Sequence, residues 1–116
     1  AVLAPTVYVP RMILAAPVAV AIVVDGSGSA MSGFDAGRAA QNIMLAAWSE
    51  GVASCPNGIA DVERAREGLG LTAEQVLVAI LALGYQARPR DPARRSADEW
   101  SARANRRSLS GVVVEL

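Results

Sequence analysis

The sequence contains no histidine and no lysine, and Cys55 is its single cysteine. Without histidine, the chain alone cannot form an imidazole zinc site or a Ser–His or Cys–His nucleophile pair. One cysteine excludes an intrachain disulfide and a thiolate metal cluster. The absence of lysine removes Schiff-base chemistry and the lysine of a phosphate-binding loop. We therefore predict no metal site and no catalytic side chain, and any redox chemistry would belong to a cofactor.

The composition describes a chain with enough apolar residues to fold. It has 116 residues, 53% of them hydrophobic, and a formal net charge of zero. This length suits one domain. The charge balance argues against a nucleic-acid partner, because phosphate binding needs a basic excess. All eleven basic residues are arginine, which together with abundant alanine is typical of a GC-rich bacterial genome.

The first part of the chain is apolar but does not match a membrane span. The uncharged run from Met12 to Val24 is too short to cross a bilayer and contains Pro17. Pro5, Pro10 and Arg11 are poorly placed for the hydrophobic region of a signal peptide, which is the alternative interpretation. We predict an irregular, extended entry segment over residues 1–17, followed by a strand at 18–24 that is buried on both faces.

A long helix is predicted after a Gly/Ser-rich loop at 26–33. Asp35 has the chemistry of an N-cap, and Gly51 that of a helix end. One face of the predicted helix, residues 36–50, carries small and apolar side chains: Ala36, Ala40, Ile43, Met44 and Ala47. Residues 52–54 read as a short strand and 55–58 as a turn.

The second half of the chain is less regular. Residues 61–68 predict a charged helix, 96–104 a short helix, and 112–114 a terminal strand. Residues 72–84 remain ambiguous: Thr72 and Gln75 resemble a capping box, whereas the apolar run ending at Gly84 also suits a buried strand.

Three features are candidate binding or reactive sites. The loop beginning at Gly26 resembles a dinucleotide fingerprint, but its third glycine, Gly33, comes two positions late, so a flexible strand-to-helix connection is favoured. Cys55 has no histidine or second cysteine to activate it and is interpreted as a half-buried structural residue. No pair of carboxylates is identifiable as a general acid and base.

Arginines near the C-terminus offer guanidinium groups suited to phosphate. Arg106 and Arg107 follow Arg103 in a polar segment and precede the last apolar residues. The alternative is a solvated basic turn that pairs with Asp98 and Glu99.

Several stretches together resemble the C-terminal part of the nitroreductase family of FMN-dependent oxidoreductases. The likeness is carried by Ala16-Pro17-Val18 before an apolar strand and by the run DAGRAAQNIMLAAWSEGVASCPNG at 35–58. Further matches are REGLGL at 66–71, ALGY at 82–85 and Arg-Arg-Ser-Leu at 106–109.

The resemblance implies an α+β fold with a central sheet and packed helices, in which two subunits interlock and bind FMN at their interface. It implies that Pro56, Asn57 and Gly58 lie beside the isoalloxazine, with a backbone amide near N5, and that Arg106, followed by Arg107, binds the FMN phosphate. It makes residues 76–83 a strand and places the helix 36–50 in the dimer core.

Family members are considerably longer, and their N-terminal part supplies a phosphate clamp that has no counterpart here. We therefore expect a partial domain lacking the N-terminal half: an irregular entry segment at 1–15 and the C-terminal part of a nitroreductase-like domain at 16–116.

The function implied by the resemblance is a cytoplasmic NAD(P)H oxidoreductase that works by a ping-pong hydride transfer through flavin N5. Its acceptor would be a nitroaromatic, a quinone or a similar small molecule. The alternative is a truncated, non-catalytic dimerisation or interaction module with weak or no flavin binding. Both interpretations predict a homodimer, and neither includes a membrane or nucleic-acid partner.

Overall fold

The computed structural model describes residues 2–26, 30–88 and 91–114. The chain divides into two units, Ala1–Gln86 and Ala87–Leu116. The first contains helices and a small antiparallel sheet, which confirms the α+β class. The helices and strands of this unit are α1 (Pro10–Ala15), β1 (Val18–Asp25), α2 (Ala30–Ser49), β2 (Ala53–Asn57), α3 (Val62–Leu69) and β3 (Gln75–Gly84).

The sheet resolves the ambiguous apolar run in favour of a strand. In the described part of the chain its order is β1-β3-β2, and β3 is antiparallel to both neighbours. Gln75 serves the turn before β3 rather than a helix: its side-chain oxygen accepts from the Thr72 amide at 3.1 Å, and its own amide donates to Thr72 O at 3.2 Å. The pKa of Glu74 in this turn is lowered. The largest cause is a hydrogen bond from the backbone amide of Glu74 itself, and the next is a hydrogen bond from the Thr72 side chain.

Strand β1 was correctly predicted in position but wrongly in burial. Only Ile22 is buried along it, and Val18 is 53% exposed. The reason is the strand order, since β1 lies at an edge of the sheet and β3 takes the central position. β3 accordingly supplies the two largest fully buried side chains among the described residues, Ile80 and Leu81.

Two apolar clusters lie on opposite faces of the sheet. On one face Ile22 and Leu81 pack with Ala36 of α2, joined by Ala40, Ile43 and Met44. On the other face Ile80 and Leu77 pack with Ala65 of α3 and with the N-terminal residues Ala4, Val7 and Ile13. The small-residue face of α2 therefore lies against the sheet of its own chain.

The helix α2 begins earlier than predicted. It starts at Ala30, so Asp35 is inside the helix, where it forms an ion pair with Arg38 at 3.7 Å instead of capping. Gly51, at φ 73°, follows the helix as predicted. Residues 27–29 of the predicted Gly/Ser loop lie outside the described residues.

The entry segment is more ordered than predicted. It contains a 3-10 turn at Ala4–Thr6 and the helix α1, where an extended chain was expected. Pro5 and Pro10 each lie in the first turn of these elements, where a missing N–H leaves no helical hydrogen bond unmade. A division of domains at residues 15 and 16 stays a prediction.

The unit Ala87–Leu116 contains the predicted short helix, α4 (Ala97–Arg103). Ser96 and Glu99 form a capping box at its start. A 3-10 turn at Leu109–Gly111 follows, and residues 112–114 are not a strand, contrary to the prediction. No residue in α4 or this turn is buried.

Candidate functional site

The predicted turn at 55–58 is instead the end of an edge strand. Cys55, Pro56 and Asn57 belong to β2 and pair with Ala82, Leu81 and Ile80. A proline is tolerated there because an edge strand has positions whose N–H is not needed by the ladder. Pro56 is exposed, whereas Asn57 is only 3% exposed. Two neighbouring candidate residues therefore have opposite environments.

Asn57 turns its side chain toward the core. It lies across from the buried Ile80, and its Nδ2 donates to the backbone oxygen of Cys55 at 3.3 Å. Its Oδ1 has no hydrogen-bond partner among the described residues. A surface ligand at this place would meet the backbone of Asn57 rather than its amide group.

Gly58 follows β2 and leaves a donor available. Its oxygen accepts from the Tyr8 amide at 3.3 Å. Its own N–H donates no hydrogen bond to any residue that the structure describes. An exposed, unpaired amide directly after an edge strand can serve as a donor to a ligand acceptor.

The N-terminal residues pair with the stretch that directly follows β2, residues 58–61. Thr6 O accepts from the amides of Ala60 and Asp61, at 2.8 and 3.1 Å, and Val7 forms a β-bridge with Ile59. Thr6 is buried, and its hydroxyl donates to Leu3 O at 2.8 Å. The sequence prediction missed this contribution, because nothing local in residues 6–8 indicates a partner some fifty positions away.

The candidate arginines lie in the unit Ala87–Leu116. Arg106 and Arg107 are exposed and form no ion pair with the residues that the structure describes. The alternative pairing with Asp98 and Glu99 is not seen among the described residues, and the Glu99 carboxylate accepts from the Ser96 amide at 2.8 Å. Both guanidinium groups are thus free to bind an anion.

The other candidate features of the sequence are weaker as functional sites. Cys55 is free and half-buried, as predicted. Within 2–26, 30–88 and 91–114, no group of three histidine, cysteine or acidic residues could hold a metal ion. The antiparallel sheet does not provide the parallel βαβ unit that a dinucleotide fingerprint requires. No helix among the described residues has both the length and the apolar character to span a bilayer.

A second feature missed by the sequence prediction is the outer face of α2. We use this name for four exposed side chains opposite the buried face: Met31, Phe34, Leu45 and Trp48. With Arg38 and Gln41 between them, they follow a spacing of three and four residues, which is typical of a helix-packing seam. The spacing is visible in the sequence, but the predicted helix begins at residue 36 and therefore leaves out Met31 and Phe34.

Comparison with known proteins identifies the family. The family model described as the nitroreductase family matches residues 4–85, most of the chain. The chain belongs to the nitroreductase family. The match begins within the entry segment, twelve residues before the stretch that carried the resemblance.

Solved structures agree on the nitroreductase fold. A nitroreductase family protein from Clostridium novyi NT is 22% identical, with a TM-score of 0.67, and the match covers 77% of this chain and 57% of that one. An FMN-dependent nitroreductase from Clostridium difficile is 23% identical, with a TM-score of 0.60 and coverages of 72% and 56%. At these identities the likeness shows the fold.

A third structure is a variant of an FMN- and NADPH-dependent nitroreductase from Sphigopyxis sp. strain HMH. It is 26% identical, with a TM-score of 0.69, and the match covers 91% of this chain and 47% of that one. This nitroreductase chain therefore spans about half the length of the solved structures it matches. A search of curated proteins finds no significant match.

Proposed function

We propose that this chain is the C-terminal part of an FMN-dependent NAD(P)H oxidoreductase that reduces a nitroaromatic, a quinone or a similar small acceptor. Family membership supports the reaction class. The observation that carries the proposal is the Gly58 amide, which has no acceptor among the described residues and belongs to the stretch 56–58 that the family resemblance puts beside the isoalloxazine. Bound FMN would supply the redox chemistry, leaving no need for a catalytic side chain.

The chain's own residues would bind and orient the cofactor. The Gly58 N–H donates to the flavin ring, and Pro56 presents an exposed, rigid surface beside it. Asn57 contributes through its backbone, because its side chain is buried. Arg106 and Arg107 bind the phosphate with charge-assisted hydrogen bonds. Taken separately, the residues of the first unit offer a donor to an aromatic heterocycle, and the arginines of the second unit offer donors to a phosphate.

The direct test is flavin retention. The purified 116-residue chain is saturated with FMN and desalted, and the flavin that remains is measured by absorbance against protein. We expect a yellow protein that retains FMN and that NADH or NADPH bleaches under anaerobic conditions. A protein that is folded by circular dichroism yet colourless after desalting contradicts the proposal.

A homodimer is the proposed assembly, and the outer face of α2 is its proposed contact. Phe34, Leu45 and Trp48 are each more than half exposed. Large apolar side chains exposed along one helix face, here interrupted by Arg38 and Gln41, are typical of an interaction site. A second copy of the chain would present the same stripe, so the contact can be self-complementary. We propose a cytoplasmic location for the dimer.

The second candidate function is a non-catalytic dimerisation module. It is favoured by the chain's coverage of about half of its solved relatives together with the exposed outer face of α2. This candidate predicts self-association without flavin retention. Sedimentation of the FMN-treated chain separates the two: both predict a dimer, and only the oxidoreductase cosediments with the visible absorbance of the flavin.

A further inference from the structure

Tyr8 is an exposed aromatic residue on a backbone that is held in place. Its side chain is 73% exposed, yet its amide donates to Gly58 O at 3.3 Å and its neighbour Val7 is buried in the bridge to Ile59. The Tyr8 ring is therefore not part of the apolar core of its own chain. Exposure alone does not distinguish Tyr8, since single exposed aromatic residues are common; the distinguishing feature is its contact with Gly58.

The ring of Tyr8 lies along the flank of Gly58. A Cβ atom at position 58 would stand 3.2 Å from Cδ2 and 3.4 Å from Cε2 of Tyr8. The ring thus occupies the space that a side chain on Gly58 would take. A ligand that accepts a hydrogen bond from the Gly58 N–H would bind one covalent bond away from the Cα that this ring flanks.

We propose that Tyr8 is a ligand-contact residue of the flavin site, and that its ring packs against the planar ring system that the Gly58 amide binds. The inference rests on the proposed function, since it takes FMN as the ligand at Gly58. Offset or edge-on packing of two aromatic systems is favourable beyond the area it buries. An exposed tyrosine with a fixed backbone offers that packing at a small entropic cost.

The test compares FMN affinity among single variants of the full 116-residue chain. Tyr8→Leu removes the aromatic ring and keeps an apolar side chain, while Tyr8→Phe keeps the ring. Tyr85→Leu is the matched control, because Tyr85 is the second of two tyrosines and is 81% exposed. All three leave the Tyr8 backbone hydrogen bond intact, so we expect unfolding temperatures close to that of the wild type.

We expect Tyr8→Leu to weaken FMN binding about 3- to 10-fold, the range that aromatic packing supports. Tyr8→Phe and Tyr85→Leu should bind like the wild type. FMN bound equally by wild type and Tyr8→Leu overturns the inference and leaves the proposed function standing. FMN bound by none of the proteins overturns both.

Flavin emission gives an independent readout of contact. A tyrosine that touches an isoalloxazine quenches its fluorescence by electron transfer, and phenylalanine does not. At equal amounts of bound FMN, both Tyr8→Phe and Tyr8→Leu should therefore be brighter than the wild type and Tyr85→Leu. Equal brightness of all four proteins places the ring away from the flavin and overturns the inference.

Discussion

Gly84 lies beneath the ring of Pro17. A Cβ atom at position 84 would stand 2.8 Å from Cδ and 3.4 Å from Cγ of Pro17. Gly84 ends the central strand and pairs with Ala53, while Pro17 immediately precedes β1. Because Gly84 has no side chain, the ring of Pro17 can pack against it where the chain enters β1.

Gly84→Ala should destabilise the protein by about 1–3 kcal/mol, because the proline ring is rigid and cannot move aside without shifting β1. Chemical denaturation monitored by circular dichroism measures this free energy of unfolding. Gly33→Ala in α2 is the control: nothing lies within 4 Å of a Cβ there, and alanine should stabilise the helix by up to about 1 kcal/mol. Equal effects of the two substitutions would disprove the steric explanation.

Leu45→Glu should shift the chain from dimer to monomer. A carboxylate on the outer face of α2 has to be desolvated in a helix contact, which costs about 2 kcal/mol or more. Analytical ultracentrifugation over a concentration series gives the dissociation constant. Ala39→Glu adds the same charge to an exposed position outside this face and should leave the constant unchanged. A wild-type protein that is monomeric throughout would refute the proposed dimer.

Arg106→Gln should weaken binding of FMN about tenfold or more, because a charge-assisted hydrogen bond to the phosphate is lost. Riboflavin has no phosphate, so its affinity should not change. Titrations of both flavins against wild type, Arg106→Gln and Arg107→Gln measure each contribution. Arg88→Gln removes another exposed guanidinium and serves as the control for net charge. Parallel losses for FMN and riboflavin would argue against a phosphate contact.

Asp61→Ala should destabilise the protein by about 1 kcal/mol. Oδ1 of Asp61 accepts from the Arg64 amide at 3.1 Å and caps α3. Asp61→Asn keeps an acceptor at the same place and should restore most of the stability. Thermal unfolding of the three proteins provides the comparison, and an Asn variant as unstable as the Ala variant would show that charge, not capping, matters here.

The sequence supported the strands and helices best where the signal was local. The strand at 18–24 and the helices at 61–68 and 96–104 were correctly predicted in position. Periodicity could not decide residues 72–84, and the resemblance did. The burial of β1 was wrong because strand order is set by pairing between distant segments. A buried run and an edge run of valines look alike in sequence.

The candidate site shows the same limit. The stretch 56–58 could be singled out from a resemblance, but the opposite environments of Pro56 and Asn57 follow from alternation along β2, which a predicted turn does not have. The prolines at 5 and 10 were interpreted as breaking regular structure, whereas each begins a helical turn. Tyr8 was missed because its contact with Gly58 exists only after the N-terminal segment docks.

The strand order also sets the sequence of folding events. Asp25 pairs with Gln75 and Val18 with Leu83, so β1 closes loops of about 50 to 65 residues, whereas β2 reaches β3 across only about 23 to 31. We therefore expect β2 to pair with β3 first and β1 to be added last. We expect β1, the longest β-branched apolar run in the chain, to stay unpaired longest. It is therefore the segment most exposed to intermolecular association while the protein folds.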